Sequence, residues 1–198
     1  IAPWVSDANA SAFGADVIDF FLSGGDLFLL NDSPTNDYFG EALGIPTSPS
    51  TGSVSNGSGL LFNGAFGAVN DVTQHYEVGQ LSAADIAAMG GHVGGTNVEG
   101  QITSAYWAAG EYAAGAGALF INADVDMIAS TAFCGLTICG ATYNPLNDNG
   151  RYALNTFSFL VENSGENSTS VPEPKTLTLF IAGFLILMRL RSKKEKNV

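Results

Sequence analysis

Two short acidic segments contain the side chains best suited to bind a ligand. The first, "NADVD", has Asn122, Asp124 and Asp126 at alternate positions just after an apolar run. The second, "NPLNDNG", contains Asp148 among asparagines. Carboxylate and amide oxygens are the ligands that calcium prefers, so both segments predict a calcium or other ligand site, and no other cofactor is expected. The second segment lacks the downstream glutamate of a calcium loop, and helix capping also explains it without a metal.

Carboxylates at the end of a strand could also serve as acid and base in hydrolysis, if burial raises the pKa of one of them. Such a hydrolase would use Asp124 and Asp126 with either His75 or Glu111. A histidine that lacks a second ligand at metal-binding spacing is usually structural, and this applies to His75 and to His92. The sequence leaves an enzyme open but favours a domain without catalytic activity.

The two cysteines, Cys134 and Cys139, lie five positions apart in "FCGLTICG". In an exported, oxidising setting, this pair predicts a small disulfide-closed loop rather than a reactive thiol. A Gly-x-Cys-x-Gly segment, which would expose a cysteine nucleophile on a sharp turn, does not occur in the sequence.

Charge is distributed very unevenly along the chain. Up to Val171 there are 17 acidic residues and one basic residue, Arg151, which gives a formal charge of −16 for that part. Such a surface excludes nucleic acid as a partner, because binding to phosphates requires Lys and Arg. It keeps an exported domain soluble or suits a cation-rich setting. The chain begins with Ile1, and we expect it to be a fragment or a processed product.

Helices and strands are predicted to alternate in this acidic part. Amphipathic spacing and capping residues predict the helices, and continuous apolar runs predict strands buried on both faces. The predicted helices cover residues 7–22, 34–43, 82–89 and 147–162, and the predicted strands cover residues 26–32, 101–109 and 117–124. Residues 46–63 predict a long surface loop or an edge hairpin. This alternation is typical of an α/β fold around a parallel sheet.

The C-terminal part has a different composition. Residues 162–170 are polar and predict a flexible linker. Two prolines in the next segment, residues 171–174, favour the extended backbone that a processing enzyme accepts. Residues 176–188 are all apolar, small or Thr, and a helix of this length spans about 20 Å of a hydrocarbon core of roughly 30 Å. Flanking cationic side chains can snorkel, so we expect a transmembrane helix at about 176–190.

Basic residues after this apolar run predict its orientation. They keep the C-terminus cytoplasmic and place the acidic domain across the membrane. They form a basic tail at 189–196 that consists of Arg189, Arg191, Lys193, Lys194 and Lys196.

The order of Pro-Glu-Pro, apolar helix and basic cluster in residues 171–198 resembles the PEP-CTERM sorting signal of Gram-negative bacteria. The resemblance implies recognition by an exosortase, an integral-membrane cysteine protease, which cuts near the motif. It also implies passage from an intermediate in the inner membrane to the cell surface or the exopolysaccharide matrix of a biofilm. In that reading the recognition site consists of Val171, Pro172, Glu173 and Pro174. Lys175 departs from the Ser or Thr that many members carry.

A second resemblance covers residues 12–161. The helix ending in Gly-Gly, the buried strand after it, "ALFINADVDM" and "DNGRYALNTFSFL" resemble the flavodoxin-like fold of class I glutamine amidotransferases. The likeness is greatest to the ThuA-like branches, which have lost amidotransferase chemistry. It implies a flavodoxin-like parallel sheet flanked by helices, without its first one or two βα units. The missing cysteine turn implies that this chain has no amidotransferase activity.

Together these features predict an α/β domain at 1–161, a linker at 162–170 and a sorting signal at 171–198. We expect an exported protein whose domain binds a glycan, an exopolysaccharide or another envelope component without catalysis. Two alternatives remain open at this point. One is a hydrolase of matrix sugars, and the other is a structural matrix protein whose acidic surface is bridged by divalent cations.

Overall fold

The computed structural model describes residues 7–32, 34, 36–51, 54–73, 78–124 and 147–165. Contacts divide the chain into one unit of residues 1–165 and a second of residues 166–198, which lies outside the described ranges. The helices are α1 (Asp7–Ala10), α2 (Gly14–Leu22), α3 (Tyr38–Ala42), α4 (Ala83–Ala88) and α5 (Asp148–Glu162). The strands are β1 (Leu27–Leu30), β2 (Ser48–Ser50), β3 (Val54–Asn56), β4 (Asn63–Gly64), β5 (Gly67–Ala68), β6 (Val72–Thr73), β7 (Val78–Gln80), β8 (His92–Asn97), β9 (Ile102–Trp107) and β10 (Leu119–Asn122).

Six strands form one mixed sheet in the order β1-β10-β9-β8-β3-β6. Strands β1 and β10 pair in parallel, and the remaining pairs in this sheet are antiparallel. The prediction of an α/β fold is confirmed, whereas the prediction of a parallel sheet is wrong for all pairs except β1–β10. Only residues 98–101 connect β8 to β9, which is too short for the crossover that a parallel pair requires.

Helices lie on both faces of this sheet. On one face, α2, α3 and α4 bury Phe21, Phe39 and Ile86 against side chains of β1, β9 and β10. On the other face, α5 packs with the segment around β4, β5 and β6 and buries Tyr152 and Phe159. Burial of a large apolar side chain contributes about 1.5–3 kcal/mol, so these two layers supply most of the driving force for folding.

The N-terminal helix is shorter than predicted. Turn residues 11–13 separate α1 from α2, and the chain leaves α2 through Gly24, whose φ is 102°. The helical spacing of Phe13, Val17, Phe20 and Phe21 predicts one apolar face. Phe21 is fully buried, but Phe20 is 56% exposed. The Phe20 ring lies over Gly25, where a Cβ atom would be 2.2 Å from the ring. The positive φ of Gly24 favours a glycine at the end of this helix.

Helix α5 was predicted at nearly its observed position, but its buried face differs. Asp148 and Asn149 are the N-cap candidates that the sequence predicts. Asn147 caps the helix instead, because its Oδ1 accepts the N–H of Gly150 at 2.8 Å. The spacing of Tyr152, Leu154, Phe157, Leu160 and Val161 predicts one apolar face, but Val161 is 74% exposed. The polar side chains of Asn155 and Thr156 are buried in this face instead.

Within the described ranges, no helix is both long and apolar enough to cross a bilayer. The predicted transmembrane helix at about 176–190 lies outside those ranges.

Candidate functional site

The carboxyl ends of β1 and β10 lie side by side because the two strands are parallel. Leu30 is in register with Asn122, and the Asn31 N–H donates to the Asn122 carbonyl at 2.8 Å. This is the edge of an open α/β sheet where ligands usually bind. Six buried polar residues lie at this edge or beside it, and we refer to them as the strand-end cluster: Asn31, Asp32, Asp37, Thr47, Asn122 and Asp124.

Two members of this cluster, Asn122 and Asp124, were predicted as ligand residues. The Asn122 Nδ2 donates to the Asp124 carbonyl at 2.7 Å, which fixes the chain where it leaves β10. Asp124 is fully buried. Strand β7 covers this end of the sheet, since the Gly79 N–H donates to the Ala123 carbonyl at 2.8 Å. A Cβ atom at Gly79 would lie 2.6 Å from the Asp32 carbonyl oxygen, so the packing is close.

Asp37 belongs to the same cluster but was not predicted. Its Oδ2 accepts both the N–H of Thr47 at 2.6 Å and the hydroxyl of Thr47 at 2.7 Å. Asp37 precedes α3 without making a side-chain cap, so its carboxylate fixes the loop at Thr47 instead. The amide of Asn31 packs against Gly40, where a Cβ atom would lie 2.3 Å from Nδ2. For Asn31 and Asp32, the signal in the sequence is their position at the end of "LFLLND", directly after a fully apolar run.

The predicted residue Asp148 has different partners. Its Oδ1 accepts a hydrogen bond from Arg151 Nη2 at 2.5 Å, and its Oδ2 accepts the backbone N–H groups of Asn70 at 3.0 Å and Asp71 at 3.3 Å. Partial burial raises the pKa of Asp148, but these hydrogen bonds outweigh it and the pKa is lowered. The carboxylate thus ties residues 70–71 to the first turn of α5.

Other predicted residues lie outside the described ranges. These are Asp126, His75, the cysteines Cys134 and Cys139, the motif residues 171–174 and the basic residues of 189–196. In the part of the chain that the structure describes, no three metal-ligating side chains converge.

An exposed pair of ionisable residues, His92 and Glu111, lies away from the strand-end cluster. His92 Nε2 and Glu111 Oε1 are 3.2 Å apart, and their side chains are 50% and 37% exposed. The other carboxylate oxygen, Oε2, accepts the N–H of Ala108 at 2.7 Å. The sequence offers no signal for this pairing, because 19 positions separate the two residues and the turn between β9 and β10 brings them together.

Tyr106 packs against the His92 ring of this pair. His92 and Tyr106 are in register on β8 and β9, and their rings stack with centroids 5.2 Å apart. Burial and the negative charge of Glu111 both raise the pKa of Tyr106. The Tyr106 ring also contacts Phe159 of α5 edge-on, with centroids 4.9 Å apart. Strand β9 thus holds the imidazole of His92 through Tyr106, whereas Glu111 lies in the turn that follows β9.

A small, open groove lies next to Phe159, between the end of α5 and the β4–β5 hairpin. Its lining combines apolar and polar side chains: Leu60, Ala65, Asn155, Ser158, Phe159, Glu162 and Asn163, with Gly64. Asn155 is already engaged, since its Oδ1 accepts the Phe66 N–H at 2.9 Å and its Nδ2 donates to the Leu61 and Gly67 carbonyls. The groove lies beside Phe159 and the His92–Glu111 pair lies beside Tyr106, and these two rings contact each other edge-on. The two features can offer apolar, aromatic and carboxylate contacts to a ligand.

Comparison with known proteins gives one structural likeness. No family model matches this chain, and no curated protein matches it. A solved structure described as the mmIFT52 N-terminal domain is similar in fold, with a TM-score of 0.54 and 15% sequence identity. The alignment covers 79% of this chain and 72% of that one. At this identity the likeness concerns the fold alone.

Proposed function

We propose that this protein is exported and retained at the cell surface or in the exopolysaccharide matrix, where its α/β domain binds a glycan or another envelope component. The observation that carries the proposal is the order of three segments: the motif Val171–Pro174, the apolar run at 176–188 and the basic tail at 189–196. A membrane-spanning helix followed by cationic residues keeps its C-terminal end in the cytoplasm. The partners are the inner membrane and an exosortase that cuts near the motif.

The proposed relation of the domain to the flavodoxin-like fold has two supports. Helices lie on both faces of the sheet, and β1 and β10 form a parallel pair at its edge. The antiparallel strands β8, β3 and β6 depart from that fold, as does the antiparallel pairing of β9 with β10. The relation to amidotransferases that have lost their chemistry is proposed on the same basis.

Binding without catalysis is favoured by the environment of the strand-end cluster. Asn122 Nδ2 donates to the Asp124 carbonyl, and Asp37 accepts both hydrogen bonds from Thr47 through Oδ2, one of its two carboxylate oxygens. A general acid or base must come within hydrogen-bond reach of its substrate, and these side chains are buried behind β7 and α3. The accessible groups lie instead on the surface around Phe159 and Tyr106.

A glycan array probed with the full chain, beside a panel of glycosidase substrates, tests the binding function. Retention on defined glycans without turnover is expected. If the protein hydrolyses a substrate and a variant of Asp124 or Glu111 does not, the hydrolase function replaces this proposal. The acidic surface favours a second candidate, a structural matrix protein, which predicts self-association that requires divalent cations.

Calcium binding by Asn122, Asp124, Asp126 or Asp148 and a disulfide between Cys134 and Cys139 stay predictions. Isothermal titration with calcium tests the first of them. Mass determination before and after reduction, with alkylation of free thiols, tests the second.

A further inference from the structure

We propose that Asn56 and Gly57 form a site of spontaneous deamidation, at which the folded protein loses the side-chain amide of Asn56. The sequence contains three Asn-Gly pairs, at 56–57, 63–64 and 149–150. Asparagine is a thermolabile residue, and a following glycine favours the reaction because it has no Cβ atom to hinder its backbone nitrogen. The three pairs share this chemistry but lie in different local structures, so the fold selects the pair that reacts.

The reaction requires only the chain itself and water. The Gly57 nitrogen attacks Cγ of Asn56, and a bond forms between these two atoms. The bond from Cγ to Nδ2 breaks, and Nδ2 leaves as ammonia with the proton that the Gly57 nitrogen gives up. Water then opens the cyclic succinimide at either of its two carbonyl carbons, which yields aspartate or isoaspartate. No oxidant or reductant takes part.

The surroundings of Asn56 leave both reacting groups accessible. Asn56 is the last residue of β3, where it is half-buried and in register with Thr96. Neither its side chain nor the N–H of Gly57 makes a hydrogen bond to the residues that the structure describes. Gly57 and the three residues after it are exposed, and a Cβ atom at Gly59 would meet nothing within 4 Å. The backbone after Asn56 therefore has room to bring its nitrogen to the side chain.

The fold protects the other two pairs. Asn149 is buried in the first turn of α5, and the N–H of Gly150 already donates to Asn147 Oδ1 at 2.8 Å. Asn63 and Gly64 form strand β4, which pairs with β5, and the Asn63 side-chain amide donates to a backbone carbonyl at 3.2 Å. In each of these pairs a reacting group is held in a hydrogen bond within a helix or a hairpin. Both pairs should therefore react more slowly than Asn56.

Peptide mapping of the full 198-residue chain by mass spectrometry, after incubation in mildly alkaline buffer, tests the proposal. Deamidation should occur at Asn56 before it occurs at Asn63 or Asn149, and the formal charge should change from −12 to −13. An isoaspartate methyltransferase should label the peptide that contains Asn56. The same chain unfolded in guanidinium chloride should lose the amide at all three pairs, because the protection of the other two depends on the fold.

Two variants separate this site from the others. Asn56→Gln should abolish the acidic species that ion exchange detects first, since the longer side chain closes a larger ring much more slowly. Asn63→Gln is the matched control and should leave that species unchanged. Thermal unfolding shows whether each variant is folded. The proposal is overturned if the folded chain keeps the Asn56 amide over the time in which the unfolded chain loses it, or if Asn63 or Asn149 reacts first.

Discussion

Asp37 and Thr47 are joined by two hydrogen bonds, from the Thr47 N–H and from the Thr47 hydroxyl to the same carboxylate oxygen. Both residues are buried beside the carboxyl end of β1. Hydrogen bonds to a buried charged group contribute about 1.5–3 kcal/mol, so Asp37→Ala should lower the free energy of unfolding by at least that much. Thr47→Val removes the hydroxyl alone and should cost about 1 kcal/mol. Urea denaturation measures both.

Asp19→Ala is the matched control for that comparison, because Asp19 is an exposed carboxylate on α2. Its effect should stay within about 0.5 kcal/mol. If Asp37→Ala were as mild as the control, the carboxylate would not fix this loop. The interpretation of the strand-end cluster as structural would then lose its main support.

Tyr152 connects α5 to the centre of the sheet, since its hydroxyl lies 2.7 Å from Ser104 Oγ and both side chains are buried. Tyr152→Phe leaves the Ser104 hydroxyl without this partner and should cost about 1–3 kcal/mol. Ser104→Ala should cost a similar amount, and the double variant should cost less than the sum of the two. A strictly additive double variant would show that the two groups do not interact.

The same tyrosine predicts a loss of stability in alkaline solution. Burial raises the pKa of Tyr152 strongly, and the hydrogen bond with Ser104 offsets only part of this increase. A group whose pKa is raised in the folded state stabilises the fold below its unfolded pKa, which is about 10 for tyrosine. The free energy of unfolding should therefore fall as the pH rises above about 10, and Tyr152→Phe should reduce the slope. An unchanged slope in the variant would contradict this origin.

Asp148 predicts the opposite behaviour in acid. Its pKa is lowered in the folded state by Arg151 and by two backbone N–H groups, despite partial burial. Its contribution is present above the unfolded pKa of 3.8 and is lost as the pH falls through the lower folded value. Asp148→Asn should cost about 1 kcal/mol or less at pH 7, and this difference should shrink as the solution becomes acid. Asp71→Asn, a change at an exposed neighbouring carboxylate, is the matched control and should cost within about 0.5 kcal/mol at pH 7.

The sequence identified the elements that rest on strong local patterns. Strand β1 was recognised because "LFLL" is apolar throughout, and all four of its residues are buried. Helix α4 was recognised from Ser82, whose side chain does accept the Asp85 N–H. These signals are local, so no knowledge of the tertiary structure was needed to interpret them.

Pairing and burial of polar residues could not be predicted in the same way. A buried apolar run is compatible with either parallel or antiparallel neighbouring strands. The connection between β8 and β9 is too short for a parallel pair, so these strands are antiparallel although the alternation of helices and strands predicts a parallel sheet. Asn155 interrupts the predicted apolar face of α5 because its side chain binds the backbone of the β4–β5 hairpin. His92 and Glu111 come together only through the fold. Such contacts join distant positions, and one sequence contains no local signal for them.

Processing of the C-terminus tests the central claim most directly. The full chain would be expressed in a Gram-negative host that has the cognate exosortase, beside a variant with Pro172, Glu173 and Pro174 replaced by alanine. Mass spectrometry of the mature protein should show loss of the apolar run and basic tail after a cut near Val171–Pro174, with the acidic domain outside the cell. The variant should remain uncut in the inner membrane. Recovery of the wild-type protein from the cytoplasm with residues 176–198 intact would contradict the account.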